Sequence, residues 1–223
     1  MTGPGPADQA PPDPAPAGGP PPAAPSGLPA WTSQLTSTAP VPGPAGLYYA
    51  DVPNRIIAQI IDFILVAIVS IIVSVVLFAI VGSPSRLVAD PNGFLGFRTE
   101  TNIVPTLIFA VFGIAISAGY YVYTWTAMRG TIGQKALGMQ VGNAADGATL
   151  TMEQAVRRWL ALGGVFSLAQ TLNPLPGVGL LLGLAGLVWV IALLVTTAQS
   201  PTKQGLHDQF AKTVVVKAAR AVG

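Results

Sequence analysis

Residues 55–81 read RIIAQIIDFILVAIVSIIVSVVLFAIV, and this stretch decides the class of fold. Between Ile56 and Val81 only Asp62 is charged. At 1.5 Å per residue the run exceeds the ~20 residues that cross a hydrocarbon layer of ~30 Å, so it predicts a membrane-spanning helix. Two more uncharged stretches follow, 103–128 and 160–198. The second spans by the same arithmetic. The third is too long for one crossing and contains Asn173-Pro174-Leu175-Pro176-Gly177, where two prolines remove backbone donors and a glycine favours a turn. It predicts two helices, or one helix and a re-entrant segment.

The rest of the composition agrees. Charged residues make up 9% of the 223-residue chain against 51% hydrophobic, with a mean hydropathy of +0.59. Soluble domains carry about 25% charged residues, so the chain is read as a membrane protein. A net charge of +2 gives no footprint for nucleic acid. The absence of cysteine rules out disulfides, thiolate nucleophiles and thiolate metal sites. No secretory signal is expected, because the first apolar run starts near residue 56 and is too long for an h-region. Gly130-Thr131-Ile132-Gly133-Gln134-Lys135 lacks the spacing of a phosphate loop and reads as a helix-exit turn. Too few ligands are present for zinc, and no nucleophile setting or cofactor loop is found, so the expectation is no enzyme, no cofactor and no metal.

Along the chain, residues 1–46 hold fourteen of the twenty-one prolines and only Asp8 and Asp13 as charges. They predict a disordered, partly polyproline-II tail, in a composition that fits GC-rich bacterial coding. The membrane domain follows over 47–217, and 218–223 form a short C-terminal tail. With four crossings and an internal N-terminus, Arg55, Arg129, Lys135, Arg157, Arg158, Lys203, Lys212, Lys217 and Arg220 fall inside, and only Arg86 and Arg98 outside. The positive-inside rule therefore predicts both termini cytoplasmic in a multi-pass plasma-membrane protein. Tyr48, Tyr49, Tyr120, Tyr121, Tyr123, Trp125 and Trp159 near the run ends fit interfacial belts, or else packing between helices. Thr151-Met152-Glu153-Gln154 has the form of a capping box and starts a helix expected over 152–172. Stretches 139–141 and 148–150 flank Asp146-Gly147 and predict a hairpin, and 213–216 reads as a further strand. Pairing of 213–216 with 139–141 would hold His207 and Asp208 under the first helix, with Asp208 near Arg55, Arg157 or Arg158. The predicted fold is an all-α polytopic transmembrane bundle of about four helices, one of them re-entrant in the alternative, with a small cytoplasmic β element.

Candidate functional residues follow from charge in apolar surroundings. An ionised Asp at a bilayer centre costs at least ~2.5 to 3.5 kcal/mol, so Asp62 needs a partner, water or a proton. Arg55, Gln59 and Asp62 stand at i, i+4 and i+7 on one helix face. Two readings stay open: a protonatable carboxylate on a transport path, or a buried polar clamp between helices. Gly113 with Ser117 and Gly179 with Gly183 have the spacing of close helix contacts. His207-Asp208 reads as a turn or cap rather than a catalytic pair.

Together these landmarks resemble the RDD family of small multispanning membrane proteins, which one arginine and two aspartates characterise. The resemblance rests on Tyr49-Ala50, Arg55, Ala58 and Ile61-Asp62; on Thr131 to Val141 continuing through Asp146-Gly147 to Arg157; and on Gln204 to Asp208 with Ala211 to Val216. It covers about 47–217. It implies Arg55 and Asp62 as the first arginine and aspartate and Asp208 as the second aspartate; beside these and Gln59, the supporting candidates are His207, Arg157, Arg158 and Lys135. Gln134 departs from the Pro-Gly-Lys or Gly-Lys of relatives, which bears on the turn's shape and not on the assignment. The family implies transport of a small ion or solute, with cation/proton exchange proposed for some members. A scaffold or assembly subunit is the alternative. Expected partners are the lipid bilayer and either further copies of the chain or another membrane protein.

Overall fold

The computed structural model describes residues 41–169 and 178–217. Residues 1–40, the predicted break at 173–177 and the C-terminal tail lie outside them. The chain is mostly helical with a few small strands. Strand β1 (Tyr48–Tyr49) leads into helix α1 (Val52–Val81), and a hairpin of β2 (Ser85–Phe94) and β3 (Phe97–Thr101) precedes α2 (Ile103–Ala127). A short helix α3 (Ile132–Ala136), strand β4 (Met139–Asn143), helices α4 (Met152–Trp159), α5 (Val165–Ala169) and α6 (Val178–Gln199), helix α7 (Leu206–Ala211) and strand β5 (Thr213–Lys217) complete it.

Three helices among the described residues, α1, α2 and α6, are long and apolar enough to cross a membrane. α1 starts with a proline in its first turn, where no backbone donor is lost, and ends at Gly82 with φ 80°, a conformation glycine adopts without strain. Ile60, Phe63, Ile68, Ile71 and Ile80 are exposed on its surface, as expected where lipid is the solvent.

The expected continuous helix over 152–172 is corrected. The Thr151 capping box forms, its hydroxyl accepting from Gln154 N while Gln154 Oε1 accepts from Thr151 N. The α-helix then gives way after Trp159 to a π-helical turn at Leu160–Gly164, with Gly163 outside helical geometry, before α5 resumes. The glycine pair explains it: the Trp159 ring occupies the space that a Cβ on Gly164 would need, 2.7 Å away. The segment nevertheless rises alongside α6. Trp189 Nε1 donates to Ala161 O at 2.8 Å, and Phe166 lies beside Gly186, so 161–166 and 186–189 run antiparallel.

One antiparallel sheet in the order β1-β5-β4 closes one end of the bundle. The pairing expected between 139–141 and 213–216 is present, with Val141 opposite Val215. Of the predicted hairpin only the closing turn forms, with Asn143 N donating to Ala148 O and Gly147 N to Asn143 O, both at 2.8 Å. Further along that edge of β4 the Arg129 carbonyl accepts from Val141 N at 2.7 Å, and 148–150 run on toward α4 without forming a strand. Because β1 precedes α1 and β5 follows α7, both ends of the domain lie at this one end. Residues 41–46, assigned from sequence to the tail, also reach it: Tyr49 N donates to Val41 O at 2.9 Å.

The packed core sits at the sheet end rather than along the helices, and includes Trp125, Met139, Val141, Ala155, Trp159 and Val215. Of the two readings of the aromatics, burial favours packing for three of them. Tyr121, Trp125 and Trp159 are buried, Tyr48 and Tyr49 form β1, and among the residues at the end of α2 Tyr123 faces out. The small-residue spacing is corrected as well, since a Cβ on Gly113 or Gly183 would meet open space; Ser117 instead accepts from Trp159 Nε1 at 3.0 Å. The β2–β3 hairpin, unforeseen from sequence, turns through Leu95 (φ 55°) and Gly96 (φ 79°), the left-handed pair of a two-residue hairpin turn.

Candidate functional site

Asp62 lies on α1 at 1% exposure and is held entirely by neutral donors. Tyr120 Oη on α2 donates to Oδ1 at 2.6 Å, Gly133 N to Oδ1 at 2.8 Å, and Thr131 Oγ1 to Oδ2 at 2.5 Å. Local sequence builds this. Thr131 caps α3 with Gln134 closing the box, which turns the Gly133 amide and the Thr131 hydroxyl toward α1. Gly133 is required because a Cβ would stand 2.3 Å from Ala58 O. The carboxylate therefore fastens α1, α2 and the α3 turn together, and has no cationic partner among the described residues. Gln59, on the same face as Arg55 and Asp62, donates to Tyr121 Oη at 2.7 Å.

A second cluster gathers beneath it. Asp208, on the first turn of α7, is completely buried and is shared by two guanidiniums. Arg55 Nη1 reaches Oδ2 at 2.7 Å, and Arg158 Nη1 on α4 binds Oδ1 and also donates to Thr213 Oγ1 at 2.5 Å. Gly205 N donates to Asp208 Oδ2 at 3.2 Å, so the same carboxylate caps its own helix. Arg55 completes its fork on Ala50 O and Val215 O, and Arg158 lies over the Trp125 ring at 5.0 Å. Burial alone would raise the Asp208 carboxyl, but Arg158, His207 and Arg55 around it hold it well below the usual carboxylate range. For His207 burial dominates and pushes the imidazole down to about 4, against the pull of Asp208 and with help from Arg158 and Arg55. His207 is then neutral near pH 7, and the cluster of two arginines and one aspartate keeps one unbalanced positive charge.

The cluster opens on a cavity of about 390 Å³ between α1 and α6. Arg55, Gln59, Gln134, Arg158, Thr197 and His207 form its polar end. Apolar side chains from both helices, with Leu162 and Val215, form the rest. Two polar atoms of buried lining residues have no hydrogen-bond partner, Arg158 Nε and His207 Nδ1.

The sequence-predicted site residues thus divide. Arg55, Asp208, Arg158 and His207 come together, and Gln59 lines the same cavity. Asp62 belongs to a separate fastening and does not line the cavity. Arg157 points away and pairs with Glu153 at 2.5 Å, and Lys135 is exposed. Sequence reading missed Tyr120, Thr131 and Thr213. Among the described residues no group of acidic, histidine and cysteine side chains has a metal-binding arrangement.

A family model described as the RDD family matches residues 49–212, and no curated protein and no solved structure matches the chain. The match spans α1, both aspartates and the arginine that joins Asp208 to the first helix. With three apolar helices of crossing length and these residues in their places, the chain belongs to the RDD family of membrane proteins.

Proposed function

We propose that the protein binds and moves a small solute across the membrane, with the α1–α6 cavity as its binding site and Asp62 as a structural fastener. The observation that carries this is the shared carboxylate: one buried and one partly buried guanidinium on one aspartate at the mouth of a 390 Å³ cavity. Buried charge without a full complement is costly to keep, and such residues in membrane proteins mark ligand paths. The cavity size falls within the range of small-molecule sites. Cation/proton exchange through Asp62 draws less support, since three donors already occupy that carboxylate and an excess of positive charge lines the cavity beside it.

The described segment 152–169, which runs beside α6, favours an even number of crossings, with both termini on the cytoplasmic face of the plasma membrane as the basic residues favour. The alternative role as a scaffold draws on the β2–β3 hairpin, where Leu87, Phe94 and Leu95 are exposed at the end of the bundle opposite the sheet.

The test is flux in proteoliposomes, with sodium, protons and small anions as probes. Leu194→Trp fills the apolar half of the cavity and leaves both ion pairs intact. The reading expects flux of one probe class that this variant abolishes. Absence of flux for every probe, or flux indifferent to Leu194→Trp, would favour the scaffold.

A further inference from the structure

The cavity constrains what it can hold, and three features point the same way. The first is charge: Arg55 and Arg158, with side chains at 11% and 3% exposure, share the single carboxylate of Asp208. The cluster carries one more positive charge than negative, which favours an anion over a cation in the space beside it. The second is hydrogen bonding. Arg158 and His207 line the cavity, and each keeps one nitrogen, Nε and Nδ1, unpartnered behind its wall, so a ligand that turns either side chain would satisfy a polar atom left without a partner. A guanidinium edge is suited to phosphate or carboxylate oxygens. The third is the remaining wall. Ile60, Phe63, Val190 and Leu194 line it and are 40–69% exposed, on the sides of α1 and α6 that face hydrocarbon. Phe63 stands eight residues above Arg55 on α1, about 12 Å along the axis. The charged end therefore lies near the membrane boundary and the apolar end within the hydrocarbon.

We infer that the cavity takes an amphipathic anion from the bilayer: a phosphate head group against Arg158, Arg55 and His207, with an acyl chain along Ile60, Phe63, Val190 and Leu194. This rests on the reading of the cavity as the protein's binding site. A soluble anion would satisfy the arginines and leave the apolar wall unused, and a cation would meet an excess of positive charge. Among phospholipids a net anionic head is favoured, because choline carries its own cation beside the phosphate. Basic pockets at membrane boundaries bind anionic head groups on this principle.

The experiment uses the full chain in phosphatidylcholine nanodiscs with a trace of phosphatidylglycerol that bears a photoactivatable group in one acyl chain. Labelled peptides are mapped, and phosphatidylcholine with the same chain is the control. Labelling near Phe63 or Val190 is expected to exceed the control about tenfold, the value of one charge-assisted contact. Unlabelled phosphatidylglycerol should compete and inorganic phosphate should not. Leu194→Trp, and separately Val190→Trp, should remove the label while thermal unfolding stays unchanged. Equal labelling by both lipids, competition by inorganic phosphate, or labelling that survives both tryptophan variants would overturn the inference. Flux of a soluble anion that Leu194→Trp abolishes, with no lipid labelling, would overturn this inference and keep the transport reading. Specific labelling with no flux of any kind would do the reverse.

Discussion

Asp208→Asn is the sharpest perturbation of the structure, because the change keeps the shape of the side chain and removes the negative charge that buried Arg158 and partly buried Arg55 share. Asp208 is fully buried, and three donors converge on it from α1, α4 and the Gly205 cap. Removing one partner of a buried ion pair costs ~3–5 kcal/mol, since the other charge stays buried without compensation. Here two are left, so the loss should lie at the upper end. Arg158→Gln should cost less, because Asp208 keeps Arg55. Double-mutant cycles read the coupling directly, with reversible unfolding followed in mixed micelles as the fraction of denaturing detergent rises. Asp208→Asn with Arg158→Gln and with Arg55→Gln should each couple by ~1–3 kcal/mol. Asp208→Asn with Arg157→Gln should be additive, since Arg157 belongs to an exposed i,i+4 pair worth ~0.3–0.5 kcal/mol. Coupling below ~0.5 kcal/mol with both Arg55 and Arg158 would refute the shared-carboxylate reasoning.

Further outcomes follow from the same geometry. Thr131→Val removes a 2.5 Å donor to a buried carboxylate and should destabilise by ~1–3 kcal/mol in the same unfolding assay; a change near zero would mean that Asp62 does not depend on the α3 turn. Stability should fall as pH drops from about 6.5 toward about 4, because His207 is held low when folded and the unfolded chain binds the extra proton in that window. The slope is at most about 1.4 kcal/mol per pH unit, and His207→Gln should flatten it; an unchanged profile in that variant would locate the titration elsewhere. Accessibility labelling should place a cysteine introduced at Asp146 and a tag after Gly223 on one side of the membrane and a cysteine at Asn92 on the other. A tag that shares the side of Asn92 would exclude the even crossing.

Much of this site was legible because its main residues are rare in their surroundings. Arg55 and Asp62 stand out in a run with no other charge, and the β-branched stretch at 213–216 needs a partner strand that 139–141 supplies. That pairing brings Asp208 under α1. The choice between Arg157 and Arg158 was also within reach, since Ala155, Arg158 and Trp159 form the buried stripe of α4 at helical spacing. What the sequence hid is tertiary. Tyr120 and Thr131 meet Asp62 across 58 and 69 residues, and a tyrosine near the end of an apolar run reads equally well as a belt residue. The Gly163-Gly164 break was hidden because the need for glycine comes from the Trp159 ring five residues earlier, and not from any turn motif. The β2–β3 hairpin turns at Leu-Gly instead of the usual Asn-Gly, so its signal was weak.

The central claim is a division of labour, with Asp62 holding the helices and the Arg55–Asp208–Arg158 cavity handling the solute. Proteoliposome flux, normalised to folded protein, measured side by side for Asp62→Asn and Leu194→Trp tests it most directly. The account predicts that Asp62→Asn lowers thermal stability but keeps flux per folded molecule, whereas Leu194→Trp keeps stability and loses flux. Flux abolished by Asp62→Asn in a protein of unchanged stability, with Leu194→Trp fully active, would contradict it.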